Sequence, residues 1–573
     1  MTANAQSFQW IKSGGSAETP YGNDGEGAFS VVTDSQKNIY TISYVGNVDR
    51  FVDGTPINSY FGSAGSTDFV ISSFACNGSL RWTKLFYGPF DERASKLQID
   101  AQDNIYLVGY FQASPQAFPT PLGIENTITF PQQPIADECL VFIAKFNNMG
   151  SMQWLKRLTP YGMPNTDIRA GSVLDSIQTD AVGNSYVTAY LSPGVYFNGQ
   201  FTATKPLVNS NGYNFVPMYI LKFDTNGNII NGIDINIVNN SNCKFYRNKN
   251  NGYFYFTFET DNVNLTTIRV NNQTITHTNA LACFDQNGQF LWVRENSGTA
   301  VSDLIRMHNI DFDASNNIYM SCNHYGANNF FIGHAGVYIG QSQSGLLRIY
   351  KINPNATSVL WATNWDNNYS GRRGTLMVKG NEVGFTDSCG GVFTWGGQTI
   401  NVNGMNQGTK PLLARFNKDT GACLGLSVIN NDLSGFDGGK VITADASGDY
   451  IIGGAFSSQL SCANGSVITN GGDDDFFIAK FSTQVCSPLD IATQELPKNT
   501  LVAYPNPAIN DLTICVKEPC NYNIYNISSA RVQSGVIDQD NNTINIAKLA
   551  CGVYNIQVLT SSGVASNVKV LKE

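Results

Sequence analysis

Long apolar runs are missing from this sequence. No stretch of its 573 residues approaches the roughly 18 consecutive apolar residues that a membrane-spanning helix requires, so no helical membrane span is expected. Charge is scarce, with 14% charged residues, and 35 Lys and Arg against 44 Asp and Glu leave a formal net charge of −9. Proteins that grip phosphate backbones cluster Lys and Arg to release counterions; no such cluster occurs, so no nucleic-acid partner is expected. The twelve cysteines form no CxxC pair and no metal-ligand spacing, which argues against zinc. Histidine is rarer still: His277, His308, His324 and His334 show neither HxH nor HxxxH spacing and read as turn or core residues. GxSxG, HExxH, P-loop and dinucleotide motifs are also missing in any fitting context, and no catalytic residue is assigned.

What is abundant is Gly, Asn, Ser, Thr, Val, Ile, Tyr and Phe, the makeup of short strands joined by tight turns. Within it one pattern recurs. Apolar-x-Lys/Arg-aromatic segments appear around Phe74, Phe146, Phe223, Phe284, Ile352, Phe416 and Phe481, spaced by 72, 77, 61, 68, 64 and 65 residues. In most copies a Gly follows and a Trp stands four residues later, as in Gly78 to Trp82, Gly150 to Trp154 and Gly288 to Trp292. About twenty residues on comes a strand–turn–strand signature such as "TDSQKNIY" or "FDASNNIY".

The seventh "FIAKF" copy lacks its Trp half, and the first Trp half, around Trp10, lacks its "FIAKF". Two orphan halves at opposite ends make one unit if the chain closes on itself, with Phe476 to Phe481 pairing beside the Trp10 strand. Radial closure removes the unpaired strand edges that invite aggregation. The fold class expected is therefore all-β, a seven-bladed β-propeller over residues 6–483. Units longer than a minimal blade imply extra hairpins, for example in "VYFNGQFTATKPLVNSNG" and "VFTWGGQTINVNGMNQG". These repeats resemble the propeller repeats of secreted Bacteroidetes proteins, a resemblance that implies a fold and no defined activity.

Residues 484–500, with two prolines and no period-2 run, read as a linker. Residues 501–573 then alternate cleanly as strands, with Leu512, Ile514 and Val516 on one face, then Tyr522 and Ile524, Ile544 and Ile546, and Tyr554, Ile556 and Val558 after a turn at Gly552. The size fits a small C-terminal β-sandwich of Ig-like type. Pro505 and Pro507 fix φ and remove two amide donors, which holds "YPNP" extended at a strand entrance. The ordered motifs "YPNPAINDLTI", "YNIYNISSARV", "INIAKLACGVYNIQVL" and "NVKVLKE" resemble the type A C-terminal sorting domain of the type IX secretion system, with Ser529 departing from the family's usual Gly.

That resemblance implies a cargo protein bound for the cell surface or medium, transient in the periplasm. The implied partners are the outer-membrane translocon, a shuttle barrel holding residues 501–573, and a sortase-like protease cutting within 484–500. Its sorting-signal positions carry over to Tyr504, Pro505, Asn506, Pro507, Gly552, Tyr554, Lys569 and Lys572. The alternative for the tail is a carbohydrate-binding or adhesion sandwich. Ala3-Asn4-Ala5 before Gln6 has the small-x-small form of a signal-peptidase site, so residues 1–5 read as the end of an export signal.

For the propeller the expected role is a binding or adhesion module with a glycan or protein ligand; the alternative is a secreted glycan-active hydrolase or lyase. The repeat Trp residues read as spacers between blades, whereas Trp365 and Trp395, outside the repeat position, are the candidate ligand-binding residues. The DxxxN turns and Asp473 to Asp475 raise calcium as an alternative, but Asp and Asn there serve turns first, and no metal site or cofactor is expected. Cys515 and Cys520 have a spacing suited to a bridge across a hairpin in an oxidising compartment.

Overall fold

Strands of two to nine residues are the regular elements among the described residues. The computed structural model describes residues 6–17, 26–57, 67–88, 92–112, 122–124, 128–130, 139–158, 173–210, 213–239, 242–259, 268–296, 305–324, 346–365, 374–402, 408–431, 437–469, 474–483, 486, 503–514, 516, 518–526, 530–560 and 565–573, and among these there is no helix. The chain divides into two compact units, Met1–Ser487 and Pro488–Glu573.

Among its described residues the first unit contains seven large antiparallel sheets, four of four strands and three extended to five or six. Blade 1 runs Gly27–Thr33, Ile39–Val45, Asp68–Phe74 and Leu80–Tyr87. Blades 2 to 6 repeat this order, their first strands beginning at Glu92, Val173, Asn242, Ile305 and Thr375. Blade 7 takes Gly438–Ala444, Tyr450–Phe456 and Asp475–Ser482 from one end of the unit and Ser7–Gly15 from the other. Ser7 pairs with Ser482, Phe8 with Phe481 and Gly14 with Phe476, so the two orphan repeat halves form one sheet.

A hydrogen bond crosses every blade boundary near the first strands. Ser30 Oγ accepts from Leu97 N at 2.8 Å, Thr179 Oγ1 donates to Ile99 O at 3.1 Å, and Gln178 Nε2 donates to Phe245 O at 3.5 Å. Lys244 Nζ donates to Met307 O at 2.7 Å, Asn309 Nδ2 to Leu376 O at 3.0 Å, Thr375 Oγ1 to Lys440 O at 3.0 Å, and Thr33 Oγ1 to Ala444 O at 3.0 Å. The last of these returns to blade 1, so the sheets close into a ring, the β-propeller.

The Gly and Trp of the repeat work between blades. Trp10, Trp82, Trp154 and Trp361 donate their ring N–H to Cys76 O, Asn148 O, Thr225 O and Lys418 O of the following blade. Each ring also lies where the next turn's Gly would carry a side chain: a Cβ at Gly150 would sit 2.8 Å from Trp82, and one at Gly78 would sit 2.9 Å from Trp10. Gly at these positive-φ turns is therefore required twice over, by backbone conformation and by the neighbouring indole.

Hairpins inserted between second and third strands also reach backward. That of blade 1 pairs Phe51 and Val52 with Gly15 and Gly14 of blade 7, and that of blade 2 pairs Gly123 and Ile124 with Tyr87 and Phe86 of blade 1. Ile268–Val270 of blade 4 pairs with Ile237–Asn239 just beyond blade 3, and Leu460 and Ser461 of blade 7 pair with Asn431 and Asn430 just beyond blade 6. Each covers an outer edge that would otherwise present unpaired backbone groups.

A disulfide between Cys76 and Cys486, 410 residues apart, fastens the end of this unit to the third turn of blade 1. In the second unit, strands Ala503–Tyr504, Asp511–Ile514 and Thr543–Asn545 form one sheet; Arg531–Ile537, Cys520–Tyr525, Gly552–Thr560 and Ala565–Lys572 form the other. Leu512, Ile514 and Ile544 of the first meet Tyr522, Ile524, Ile556 and Val570 of the second in a shared core.

Candidate functional site

The terminal unit brings together the two ends of its own sequence. Ala503 and Tyr504 pair with Ile514 and Thr513, after which the chain bends through Pro505 to Pro507 instead of continuing extended. The Tyr504–Pro505 and Asn506–Pro507 peptide bonds are cis. This bend carries Asn506 to the terminal strand. Its Nδ2 donates to Lys569 O and its Oδ1 accepts from Leu571 N, each at 2.9 Å. Ala508 N then donates to Leu571 O at 2.8 Å, and Glu573 N donates to Ala508 O at 3.0 Å.

The other positions expected to carry the sorting signal are placed differently from one another. Tyr504 is half exposed; on the other sheet Lys569, opposite Asn555, and Leu571, opposite Val553, also face outward. Lys572 is buried, its amine turned onto the carbonyl of Glu573. Tyr554 is also buried and donates its hydroxyl to Ala550 O at 2.8 Å. Gly552 opens its strand at a φ of +154°, which L side chains rarely adopt. Thus Tyr504, Asn506 and Lys569 are exposed, whereas Tyr554 and Lys572 are buried.

In the propeller, the expectation that Trp365 and Trp395 form a ligand surface is corrected: their relative exposures are 1% and 0%. Trp395 lies on the inserted hairpin of blade 6 and bridges to Trp365 just beyond the fourth strand of blade 5, with Phe393 edge-on to Trp365 at 4.2 Å. These indoles fall outside the repeat position because they seal a hairpin onto the preceding blade. Trp395 Nε1 is satisfied by Thr363 Oγ1 at 2.9 Å.

The DxxxN turns use their carboxylates as acceptors. Asp34 accepts from Gln36 N, Asn38 N, Asn38 Nδ2 and the Tyr40 hydroxyl, and Asp100, Asp180 and Asp313 repeat the set. Burial alone raises the pKa of Asp180 and Asp313, but these donors more than offset it and hold both below the usual carboxylate range. A calcium ion at such a turn would have to displace these donors. Among the described residues no group of three or more His, Cys, Asp or Glu is arranged to hold a metal.

Buried carboxyls head the strands of blades 7, 1 and 2, and of these only Asp475 was expected to matter, as part of Asp473 to Asp475. Glu26 accepts from Ser16 N at 2.9 Å and Gly46 N at 2.7 Å, and also from the Ser16 hydroxyl. Burial raises its pKa well above normal, and the charge of Asp475 adds to this. Asp68, fully buried against Arg50, is pushed up to about 6 by burial, with the guanidinium pulling the other way. Carboxylates preceding the first and third strands of consecutive repeats, as in "GEGAF", "DERAS" and "STDFV", were the available signal.

The histidines are also placed in part. His277 Nδ1 lies 2.7 Å from Glu295 Oε2, His308 is buried, and His324 is in a strand of blade 5. His334, Asp473, Ser529, residues 1–5 and nearly all of the 484–500 cleavage region lie outside the described residues. Cys520 is a free thiol, its Sγ 3.1 Å from Glu518 O, and Cys515, its expected bridging partner, lies outside the described residues. A cavity of about 460 Å³ lies beside the fourth strand of blade 3, lined among others by Lys205, Asp234, Asn236, Asn271, Gln289 and Phe290. Lys205 pairs with Asp234, donates to Ile235 O at 2.9 Å, and has its pKa lowered to about 8 by burial.

Comparison with known proteins matches residues 502–573 to the family described as secretion system C-terminal sorting domain. The chain therefore carries a type IX sorting tail and is exported to the cell surface or medium. A search of curated proteins finds no match for this sequence. Solved structures similar to it include the quinohemoprotein alcohol dehydrogenase of Comamonas testosteroni, at 10% identity and a TM-score of 0.34 over 84% of this chain and 77% of that one. A protein of unknown function from Dyadobacter fermentans matches at 11% and 0.33 over 70% and 97%, and BamB of Moraxella catarrhalis at 11% and 0.29 over 72% and 91%.

Proposed function

We propose that this type IX cargo acts as a binding or adhesion module, the propeller holding a ligand at the cell surface. The cavity beside blade 3 supports this reading most directly. Its lining includes Phe290 together with Asn236, Asn271 and Gln289. An apolar ring face beside planar amide donors and acceptors is suited to a neutral saccharide, whose C–H face stacks while its hydroxyls hydrogen-bond. The Lys205 cation is already matched by Asp234, which favours a neutral ligand over an anionic one. The buried carboxyls of Glu26 and Asp68 at the strand heads are held by Ser16, Gly46 and Arg50, so they serve the fold before chemistry.

On this reading residues 501–573 engage the translocon and shuttle barrel, and a sortase-like protease cuts within 484–500. Capture on a glycan array by the secreted protein tests the propeller's role. Retention of an intact glycan, lost when Asn236 and Asn271 are replaced by Ala, supports binding; release of shortened products identifies a hydrolase or lyase instead.

A further inference from the structure

We propose that Asn506 is a positioning residue of the sorting signal, latching the terminal strand so that Lys569 and Leu571 are presented to the export machinery in one fixed geometry. This rests on the export reading of the tail. Strand Ala565–Lys572 pairs on one side with Gly552–Thr560; among the described residues no strand pairs with its other side, which carries a single bridge from Ala508 to Lys572. A last strand held on one side frays readily. Asn506 supplies the missing side: one amide group donates to Lys569 O and accepts from Leu571 N, both at 2.9 Å, reproducing the paired bonds of a neighbouring strand.

The chemistry singles out Asn. An Asp has no donor for Lys569 O, and a hydroxyl cannot span both groups at once. The flanking Pro505 and Pro507 carry no N–H of their own to compete for the edge acceptors. Beyond the latch, Ala508 continues the contact through its backbone to Leu571 and Glu573. The signal's separated motifs, 63 and 65 residues apart at these two bonds, thus form one structural unit. Asn506 acts on export through the position of the terminal strand.

The test uses the full chain in its secreting host, with deuterium exchange of the Leu571 amide measured on the purified protein. Asn506→Ala is expected to speed that exchange about tenfold or more and to cut export in step. Asn506→Asp, which keeps the acceptor, should fall between this and the native chain, and it decides the matter if Asn506→Ala unfolds the tail. Gln533→Ala removes two comparable bonds elsewhere in the tail, to the Tyr522 hydroxyl and Asn545 O, and should leave export unchanged. The proposal is overturned if Asn506→Ala loses export with Leu571 still protected, if Leu571 opens with export intact, or if Gln533→Ala impairs export equally. Deletion of 501–573 separates the two levels: normal export of the deleted chain sinks the export reading itself, whereas blocked export with an unimpaired Asn506→Ala sinks only the latch.

Discussion

Gly150 and Gly54 share nearly the same backbone conformation, φ +77° and +71°, but only Gly150 has an indole where its Cβ would be. Gly54→Ala is therefore expected to cost about 1 kcal/mol of conformational strain, and Gly150→Ala roughly 1–3 kcal/mol more, as the Trp82 ring is displaced. Thermal unfolding of the two variants measures the difference; equal losses would mean that the indole yields freely. A second residue-scale effect concerns Asp387, buried in blade 6 and accepting from Ser388 N at 2.8 Å, with its pKa pushed up to about 7 from 3.8 by burial. Because the native state then holds a proton that the unfolded chain has released, this residue makes stability fall as pH rises from about 4 to about 7. Asp387→Asn should flatten that part of the stability–pH curve, and an unchanged curve would rule the residue out as its source.

At the scale of elements, the inserted hairpins show where reading from sequence stops. The strands, their turns and the pairing of the Trp10 strand with Phe476 to Phe481 were legible because aromatic and Gly positions recur at near-constant intervals. Docking of one blade's hairpin on the preceding blade was not, since no local periodicity reports a partner some thirty to forty residues earlier in the chain. Trp365 and Trp395 fall at such a junction, and for that reason looked like surface residues. Replacing Trp395 by Ala opens a void in the core shared with Phe385 and Phe416, at a cost of about 3–5 kcal/mol. Chemical denaturation checks this, and the account fails here if Trp395→Ala unfolds at the native midpoint. The Asp turns were readable as turns, but closure of each by a Tyr six residues on requires the folded strand. In the tail, the motifs were readable singly, whereas the contact of Asn506 with Leu571 emerges only when the first and last segments meet.

For the whole molecule, ring closure depends on joining distant ends, and Cys76–Cys486 reinforces that joint across 410 residues. Cysteine spacing alone pointed elsewhere, to Cys515 and Cys520, because a bridge over such a distance leaves no local trace. In the chain-entropy picture a loop this long restricts the unfolded state by about 6 kcal/mol at most. Cys486→Ser should accordingly lower the unfolding temperature of the propeller and leave that of the terminal unit in place; calorimetry resolving two transitions would show it, and a shift confined to the tail would contradict it. The division into a closed propeller and a separate sorting unit is the central claim, and cell fractionation of the chain lacking residues 501–573 tests it most directly. The account predicts a folded propeller, with Cys76 and Cys486 joined, retained in the periplasm; the same truncated protein appearing at the cell surface or in the medium at the level of the full chain would contradict it.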